Sequence, residues 1–596
     1  MQNSTRDDRD VKAWRMFALA VSVTAGLVAF VFFLRFGIAD GLDVIDMLRS
    51  GLLLVSTFWL SWGAMLAFVG LTTRARAPVI DRSAPLQGRI AVLVPIYEED
   101  PVTTFARIAA MDMSLAATGH GDAFDIAILS DTRTDVVAAR ERLWYLRLLR
   151  DSNGQGRIFY RRRASNTGKK AGNVADFIRT SGAAYEFAII LDADSLIEGA
   201  TMVEMTRRMQ ADPDLGLLQT LPRIIGARSR FGRAMQFSAA FNSPVFARGL
   251  AMMQGRTGPF WGHNAVIRTR AFAQSCGLPQ LAGKPPFGGH ILSHDYVEAA
   301  LLARAGWNVR LDDDLDGSYE EGPENIVDHA KRDRRWCQGN LQHARLVFAP
   351  RLRGWSRFVF VQGILAYLAS VVWLAFLLAS VAAPVFGPPV VYFPTQYWPL
   401  PVTPPDQTTL ALALVIGIFG LLILPKLLIG ADAVLRGRAR GFGGWWSATQ
   451  ATMSELLLSS ITAPIFMLYQ TRSVFQVLLG RDGGWPAHDR GDGRLRLADA
   501  FAASHWIVAC GLIGLTLAAV LSPDLLLWFL PVTLPMVAAP FIIAWTSHPG
   551  APGLFATPQD LALAPVMRLR AAVLEGWQAG NTDDEPELWS GNLHYV

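Results

Sequence analysis

The chain is poor in charge and in cysteine. Only 18% of its 596 residues are charged, and it has three cysteines. Cys276, Cys337 and Cys510 show neither pair spacing nor metal-ligand spacing, which argues against a disulfide framework and a zinc site. No Gly-x-Gly-x-x-Gly follows the first predicted strand, and no P-loop glycine-lysine motif occurs, so the two commonest nucleotide fingerprints are absent. Basic and aromatic residues do not interleave as they do in a nucleic-acid groove. The net charge of +5 therefore implies no nucleic-acid partner.

What the chain has is apolar length. Hydrophobic residues make up 51% of it, with a mean hydropathy of +0.27. That is too apolar for an ordinary soluble enzyme, and the chain is too long for one domain. Six uncharged runs stand out: Met16–Leu34, Gly51–Thr73, Phe358–Ser380, Thr408–Pro425, Ala500–Ser522 and Leu525–Ser547, with His505 the one basic interruption. Each can cross roughly 30 Å of hydrocarbon as a helix. Charges of mixed sign precede Met16–Leu34 and no small-residue cleavage site follows it, so it reads as a first span and not as a signal peptide.

Arg74, Arg76 and Arg82 follow the second run, and Arg351, Arg353 and Arg357 precede the third. Both groups place the middle of the chain in the cytoplasm. Arg436, Arg438 and Arg440, and then Arg472, Arg481, Arg490, Arg494 and Arg496, put two later loops on the same side. Gly441–Gln470 lies between those loops, so it is expected to be an interfacial helix, a re-entrant element or a tight helical pair. Glu455 and the paired Trp445 and Trp446 favour the interface. The expected organisation is a tail and two membrane helices (1–73), a cytoplasmic domain (74–357), two membrane helices (358–430), an interfacial or re-entrant segment (431–499), two membrane helices (500–547) and a cytoplasmic tail (548–596). The number of crossings is then even. The acidic end near Asp583–Glu587 reads as solvated and disordered.

The cytoplasmic segment alternates strand and helix. Strands are expected at Arg89–Pro95, Phe124–Leu129, Arg157–Tyr160, Phe187–Leu191 and Leu215–Gln219, and around Val266 and Ile267. Helices are expected at Asp135–Arg150 and Val174–Thr180. This pattern predicts an α/β domain with a mostly parallel sheet, inserted between transmembrane helices.

Five polar clusters punctuate that pattern. Ser130-Asp131 ends the second strand. Gly168 to Asn173 is a glycine-flanked basic loop in which Lys170 suits a phosphate. Asp192-Ala193-Asp194 ends the fourth strand, where open α/β sheets bind ligands. Asp194 can hold a hard divalent cation, which can bridge a diphosphate. Ser293-His294-Asp295 opens a helix over Tyr296–Ala305, with Asp295 free to act as a base. Lys331 to Trp336 sets the Arg335 cation beside the Trp336 ring. Singly, these are a turn residue, a solvated loop, a helix cap and a membrane anchor. Their order within one segment between spans favours a single site.

In that order the clusters resemble the processive, inverting family-2 glycosyltransferases, such as the cellulose synthase catalytic subunit. There an Asp, a Lys-Ala-Gly-Asn, an Asp-x-Asp, a Thr-Glu-Asp and a Gln-x-x-Arg-Trp follow one another. Here they match Asp131, Lys170 to Asn173, Asp192 to Asp194, Ser293 to Asp295 and Arg332 to Trp336. His294 stands for the family Glu and Arg332 for the family Gln. The runs FWGHNAVIR (Phe260–Arg268), ILSHDYVEAALLARAGW (Ile291–Trp307), LDGSYEE (Leu315–Glu321) and KRDRRWCQGNLQ (Lys331–Gln342) resemble one branch, the osmoregulated periplasmic glucan synthases of Gram-negative bacteria.

The resemblance implies a glycosyltransferase-A-type domain that polymerises glucose from UDP-glucose into a linear β-1,2-glucan. It implies Mg2+ or Mn2+, a growing glucan chain as acceptor, and acyl carrier protein as a partner. It also implies a multi-pass place among the lipids of the inner membrane, with polymerisation coupled to export. By the same resemblance Asp131 holds the uracil or ribose, Lys170 and Arg335 face the diphosphate, and Asp192 contacts the nucleotide sugar. Asp194 ligates the cation, Asp295 is the catalytic base, and Trp336 stacks on the acceptor. His294 is expected to alter how the acceptor is presented, favouring a 1,2 link. Gly480–Arg494 resembles a gating loop over the donor, and Tyr367, Trp373 and Trp506 are candidate channel residues. The alternatives are a cellulose-type synthase with another linkage, and a non-catalytic glycan transporter or sensor. The helices split around one α/β segment, which opposes the transporter, and the intact carboxylates oppose the sensor.

Overall fold

The computed structural model describes residues 8–40, 42–74, 78–386, 408–481, 493–551 and 553–588. Arg76, Arg490 and most of the expected gating loop lie outside them.

Two apolar helices open the chain, α1 (Asp8–Asp40) and α2 (Val44–Thr72). The α/β domain then runs β1 (Ile90–Ile96), α3 (Pro101–Ala116), β2 (Phe124–Ser130), α4 (Asp135–Ser152), β3 (Ile158–Arg162), α5 (Lys169–Ser181) and β4 (Phe187–Ile190). It continues through β5 (Leu196–Ile197), α6 (Gly199–Ala211), β6 (Leu215–Gln219), β7 (Arg223–Ile225), α7 (Arg230–Phe241), α8 (Ser243–Gln254), β8 (Ala265–Arg268) and α9 (Thr269–Ser275). It closes with α10 (His294–Arg304), β9 (Asn308–Leu311), β10 (Ser318–Glu321) and α11 (Ile326–Gln342). Helices α12 (Gly354–Phe386), α13 (Thr408–Leu435), α14 (Trp445–Leu478), α15 (Leu497–Leu521), α16 (Leu526–Val537) and α17 (Ala539–Ser547) follow, then α18 (Pro558–Leu561) and α19 (Pro565–Leu588).

The main sheet has seven strands in the order β3-β2-β1-β4-β8-β6-β9. Strand β8 runs antiparallel to β4 and β6, and the other pairings are parallel. Side chains alternate between two buried layers, as a strand's period of two requires. Ile90, Val92 and Val94 pack with Phe105, Ile108 and Met111 of α3. Ala91 and Leu93 face Phe177 and Ile267 on the other side. Strands covered on both faces read as continuous apolar runs, which is why β1, β2, β4 and β6 are visible in the sequence. A second sheet, β5-β10-β7, is built from short strands, and β10 is the polar Ser-Tyr-Glu-Glu. No hydrophobic pattern announces it.

Among the described residues, α1, α2, α12, α13, α14 and α15 are long and apolar enough to cross a membrane. The run expected to be one span at Leu525–Ser547 is instead broken, with a 56° bend between its two helices. Pro531 and Pro535 lie inside α16 and a further proline opens α17, and each removes a backbone donor from the ladder.

Most of the Gly441–Gln470 region lies in one helix, α14 (Trp445–Leu478), and not in a helical pair. Glu455, which favoured an interface in the sequence, has a partner: the Lys426 ammonium of α13 donates to it at 2.8 Å. Just before α14, Phe442 stacks edge-on against Phe241 of α7 at 4.9 Å. Phe466, mid-helix, meets Phe231 of α7 and His329 of α11. Near its far end Gln476 accepts from Arg334 of α11 at 3.1 Å. Helix α14 thus touches the α/β domain at both ends.

Much of the C-terminal stretch is not a loose tail, because α19 packs on α3. Val566 and Trp577 are buried in the main core, and the Trp577 indole donates to Asp151 at 2.8 Å.

Candidate active site

The expected site residues gather above the carboxyl ends of β2 and β4. Parallel strands β1, β2 and β4 lie side by side, so the loops leaving β2 and β4 open on one edge of the sheet. Asp131 follows β2 directly and is buried. Arg163, just past β3, grips it with two bonds, Nε to Oδ1 at 2.7 Å and Nη2 to Oδ2 at 2.8 Å. This bidentate fork compensates a buried carboxylate at both oxygens. The same guanidinium reaches the Lys169 carbonyl at 3.2 Å, so Asp131 and the start of α5 move as a unit.

Lys170 is not in a loop before a helix, as the glycine flanks implied. It lies in the first turn of α5, with Gly168 as the preceding cap at φ 72°. Its ammonium pairs with the Asp192 carboxylate and donates to the Gly262 carbonyl at 2.7 Å. Burial alone pushes Asp192 up. Lys170, His263 and Arg332 more than offset this and hold it below the usual carboxylate range. Burial pushes Arg335 down, as does Arg332, against the pull of Asp192. Arg335 therefore belongs to the same electrostatic cluster.

Gly262 joins the two halves of the site. Its carbonyl takes Lys170, while a Cβ placed on it would lie 3.5 Å from the Asp295 Cβ. Its φ of +82° is a conformation that only glycine adopts without strain. Asp295 and His294 both sit in the first turn of α10, which starts two residues earlier than the sequence placed it. Burial pushes the Asp295 carboxyl up, and Glu298 adds to this, while His294 opposes it. A raised carboxyl is, once ionised, the better proton acceptor. The His294 Nδ1 bonds the Glu298 carboxylate at 3.0 Å, one turn along the helix. Burial works against charge on His294, yet Glu298 and Asp295 raise it above the ordinary imidazole value.

The N-cap of α10 is held from below. The buried His343 imidazole, kept neutral by burial at about 4, donates from Nε2 to the Ser293 carbonyl at 2.9 Å. Gly339 of α11 makes room: a Cβ there would lie 2.1 Å from the Ser293 Oγ. Contact through Gly339 thereby ties α11, which carries Trp336, to the start of α10. Trp336 is 44% exposed, with the Arg332 guanidinium 4.6 Å from the ring centroid. The family Gln is thus replaced by a cation that covers one face of the tryptophan.

Several contributors were not singled out in the sequence. Arg163 ends an Arg-Arg-Arg run that reads as plain charge. Glu298 follows His294 by four residues, a helical spacing that the sequence does show. Glu320 on β10 lies 3.5 Å from the His263 Nε2, and burial raises its carboxyl against His263 and Arg332. Asp194 is half-buried beside them, close enough to Glu320 to push its carboxyl up as well. Among the described residues no three His, Cys, Asp or Glu side chains form a complete cation cage. The donors at hand are hard carboxylate oxygens, which fit Mg2+ or Mn2+ with a diphosphate supplying the rest.

A mostly parallel sheet with an Asp-x-Asp at the end of one strand is the arrangement of a glycosyltransferase of the GT-A type. The profile of Glycosyl transferase family group 2 matches residues 187–424. A glucans biosynthesis glucosyltransferase H from Cereibacter sphaeroides is 62% identical over 567 residues, 95% of each chain. Proteins of that name from Caulobacter vibrioides and Vibrio cholerae are 39% and 38% identical, over 95% and 97% of this chain and 87% and 80% of theirs. The chain belongs to the glucans biosynthesis glucosyltransferase H family. Among solved structures, a mannosyltransferase from Pyrobaculum calidifontis with GDP-Man and Mn2+ matches more loosely, at 15% identity and a TM-score of 0.44 over 65% of this chain and 96% of that one.

Proposed function

We propose that the site transfers glucose from UDP-glucose to the end of a growing glucan by one displacement with inversion, building a β-1,2 linkage. The observation that carries this reading is the two-sided role of Gly262. On one side its carbonyl fixes Lys170 against Asp192, and on the other its left-handed backbone, at φ +82°, adjoins Asp295.

In this reading Asp131, clamped by Arg163, faces the uridine. Lys170 and Arg335 receive the diphosphate as charge-assisted donors, and Asp192 contacts the nucleotide sugar. Asp194 would hold Mg2+ or Mn2+, which when bound supplies positive charge to the departing UDP. Asp295 takes the proton from the acceptor hydroxyl as that oxygen forms its bond to the anomeric carbon. The bond to UDP breaks in the same step, so an α donor gives a β product and no covalent enzyme intermediate is formed. Trp336 stacks under the acceptor sugar, whose C–H face packs on an aromatic ring. His294, fixed by Glu298, sits beside the base and helps select the hydroxyl presented.

The proposal extends to the setting of the enzyme: a multi-pass protein of the inner membrane with the α/β domain in the cytoplasm. It includes α14 lying along the membrane face, a gating loop over 480–494, export of the product through the helices, and acyl carrier protein as a partner. Ala448 and Ala451 in the first half of α14 share a buried cluster with Phe237 and Phe241 of α7, and Gln476 near its far end bonds Arg334 of α11, which supports α14 lying along the membrane face.

The test is incubation of the purified full chain with UDP-glucose and Mg2+ or Mn2+, with and without acyl carrier protein, followed by linkage analysis. The expected result is UDP release and a β-1,2-linked glucan. A β-1,4 product would overturn the linkage, and His294→Glu giving an unchanged β-1,2 product would remove His294 from linkage choice.

A further inference from the structure

The loop that carries Asp192 and Asp194 is held by a chain of contacts that ends on the C-terminal helix. The carbonyl of Ala193, between the two carboxylates, accepts from Arg107 Nη1 of α3 at 3.3 Å. Arg107 is buried, and its Nη2 lies 2.6 Å from the Glu321 Oε1 of β10. The same oxygen lies 3.0 Å from the Nη2 of Arg570, on α19. One carboxylate oxygen thus serves two guanidiniums, and one of those reaches into the Asp-Ala-Asp turn. Strand alternation explains the arrangement. Glu320 points to the site and meets His263, while its neighbour Glu321 points the other way, to α3 and α19.

The geometry fits a position held by charge balance. The buried Arg107 and the half-buried Arg570 lie side by side and repel, and Glu321 is the counter-charge they share. Without Arg570 the shared oxygen is drawn wholly to Arg107, and the hold on the Ala193 carbonyl changes with it. Helix α19 is in turn anchored independently of Arg570, by Val566 and Trp577 in the core and by the Trp577 bond to Asp151.

We propose that Arg570 is a positioning residue for the donor site, acting through Glu321, Arg107 and the Ala193 carbonyl to set the spacing of Asp192 and Asp194. The C-terminal helix then belongs to the diphosphate and cation site, although it touches neither. This inference rests on the reading above that Asp192 and Asp194 hold the diphosphate and its cation.

The experiment measures binding of UDP with Mn2+ to the full-length protein in detergent by calorimetry, alongside the donor KM and kcat. Arg570→Gln is expected to weaken UDP–Mn2+ binding about tenfold or more, the range seen when a residue that orients a metal ligand is lost. Donor KM should rise with it and kcat should change less. Arg570→Lys, which keeps the charge, should recover most of the loss, and Glu321→Gln should match Arg570→Gln. The exposed Arg568, on the same helix, is the control, and Arg568→Gln should bind as wild type does. Binding by a folded Arg570→Gln or Glu321→Gln protein within about twofold of wild type overturns the proposal. If Arg570→Gln does not fold, Arg570→Lys and Glu321→Gln decide by the same criterion. Asp194→Asn separates the two levels. Its failure to weaken Mn2+-dependent binding would sink the site reading itself, whereas loss there with no loss in Arg570→Gln or Glu321→Gln sinks only the relay.

Discussion

The two sides of the cleft solve different problems. On the donor side, around β2, α5 and β4, the expected side chains come as closed ion pairs: Asp131 with Arg163, and Lys170 with Asp192. On the proposed acceptor side, around α10 and α11, the adjacent His294 and the backbone N–H groups of Tyr296 and Asp295 oppose the burial of Asp295 without cancelling it, and Trp336 is 44% exposed. In the proposed reading the donor side receives a group with fixed charge, and its own charges are already oriented. In the same reading the acceptor side receives a neutral sugar, with one carboxylate to take the proton. Paired charges lose little when a diphosphate replaces one partner, whereas a carboxylate raised by burial gains basicity.

The sharpest way to break that comparison is to remove the acceptor-side carboxylate alone. Asp295→Asn should cut kcat about 1,000-fold, the scale of a lost general base, while UDP binding stays as in wild type. Burial raises the Asp295 carboxyl in the folded state, so the folded protein binds that proton more tightly than the unfolded one. Ionised Asp295 therefore costs stability above its folded value, and Asp295→Asn should also raise the thermal midpoint near neutral pH, read by calorimetry.

On the donor side the largest effect should be structural. Arg163→Met leaves a buried Asp131 without its fork and should cost about 3–5 kcal/mol of stability, visible as a drop in the unfolding midpoint, with a higher donor KM. Next comes Trp336→Ala, expected to lower the rate about tenfold at limiting acceptor while leaving the donor KM alone, with Trp336→Phe close to wild type. An equal effect on both substrates would erase the distinction between the two sides.

The smallest effect is a shift of a pH profile. The base works ionised, so activity should fall as pH drops through the folded Asp295 value, which burial places above the ordinary carboxylate range. His294 holds that value down. His294→Gln should therefore move the acid limb to higher pH, and a shift to lower pH would contradict the placement of His294 beside the base.

The donor side was also the more legible in sequence. Asp131 and Asp192 end apolar strands, and the sheet's core strands are unbroken apolar runs, so strand ends and their carboxylates can be read directly. Glycines 168 and 172 mark Lys170 well enough, although its place inside a helix was hidden because its flanks look like a loop. The second sheet was invisible because β10 is polar and β5 has two residues. Its Glu320 and Glu321 make long-range contacts that no local pattern encodes. The packing of α19 was not legible for a related reason: Val566, Arg570 and Trp577 are held by partners far away in sequence. The break between α16 and α17 was readable from Pro531 and Pro535, but hydropathy outweighed it.

The most direct measurement is a paired one on wild type and Asp295→Asn: affinity for UDP with Mn2+, and the rate of UDP release from UDP-glucose in the presence of a glucan acceptor. The account predicts equal affinity and a release rate reduced about 1,000-fold in the variant. Release at the wild-type rate by Asp295→Asn would contradict it.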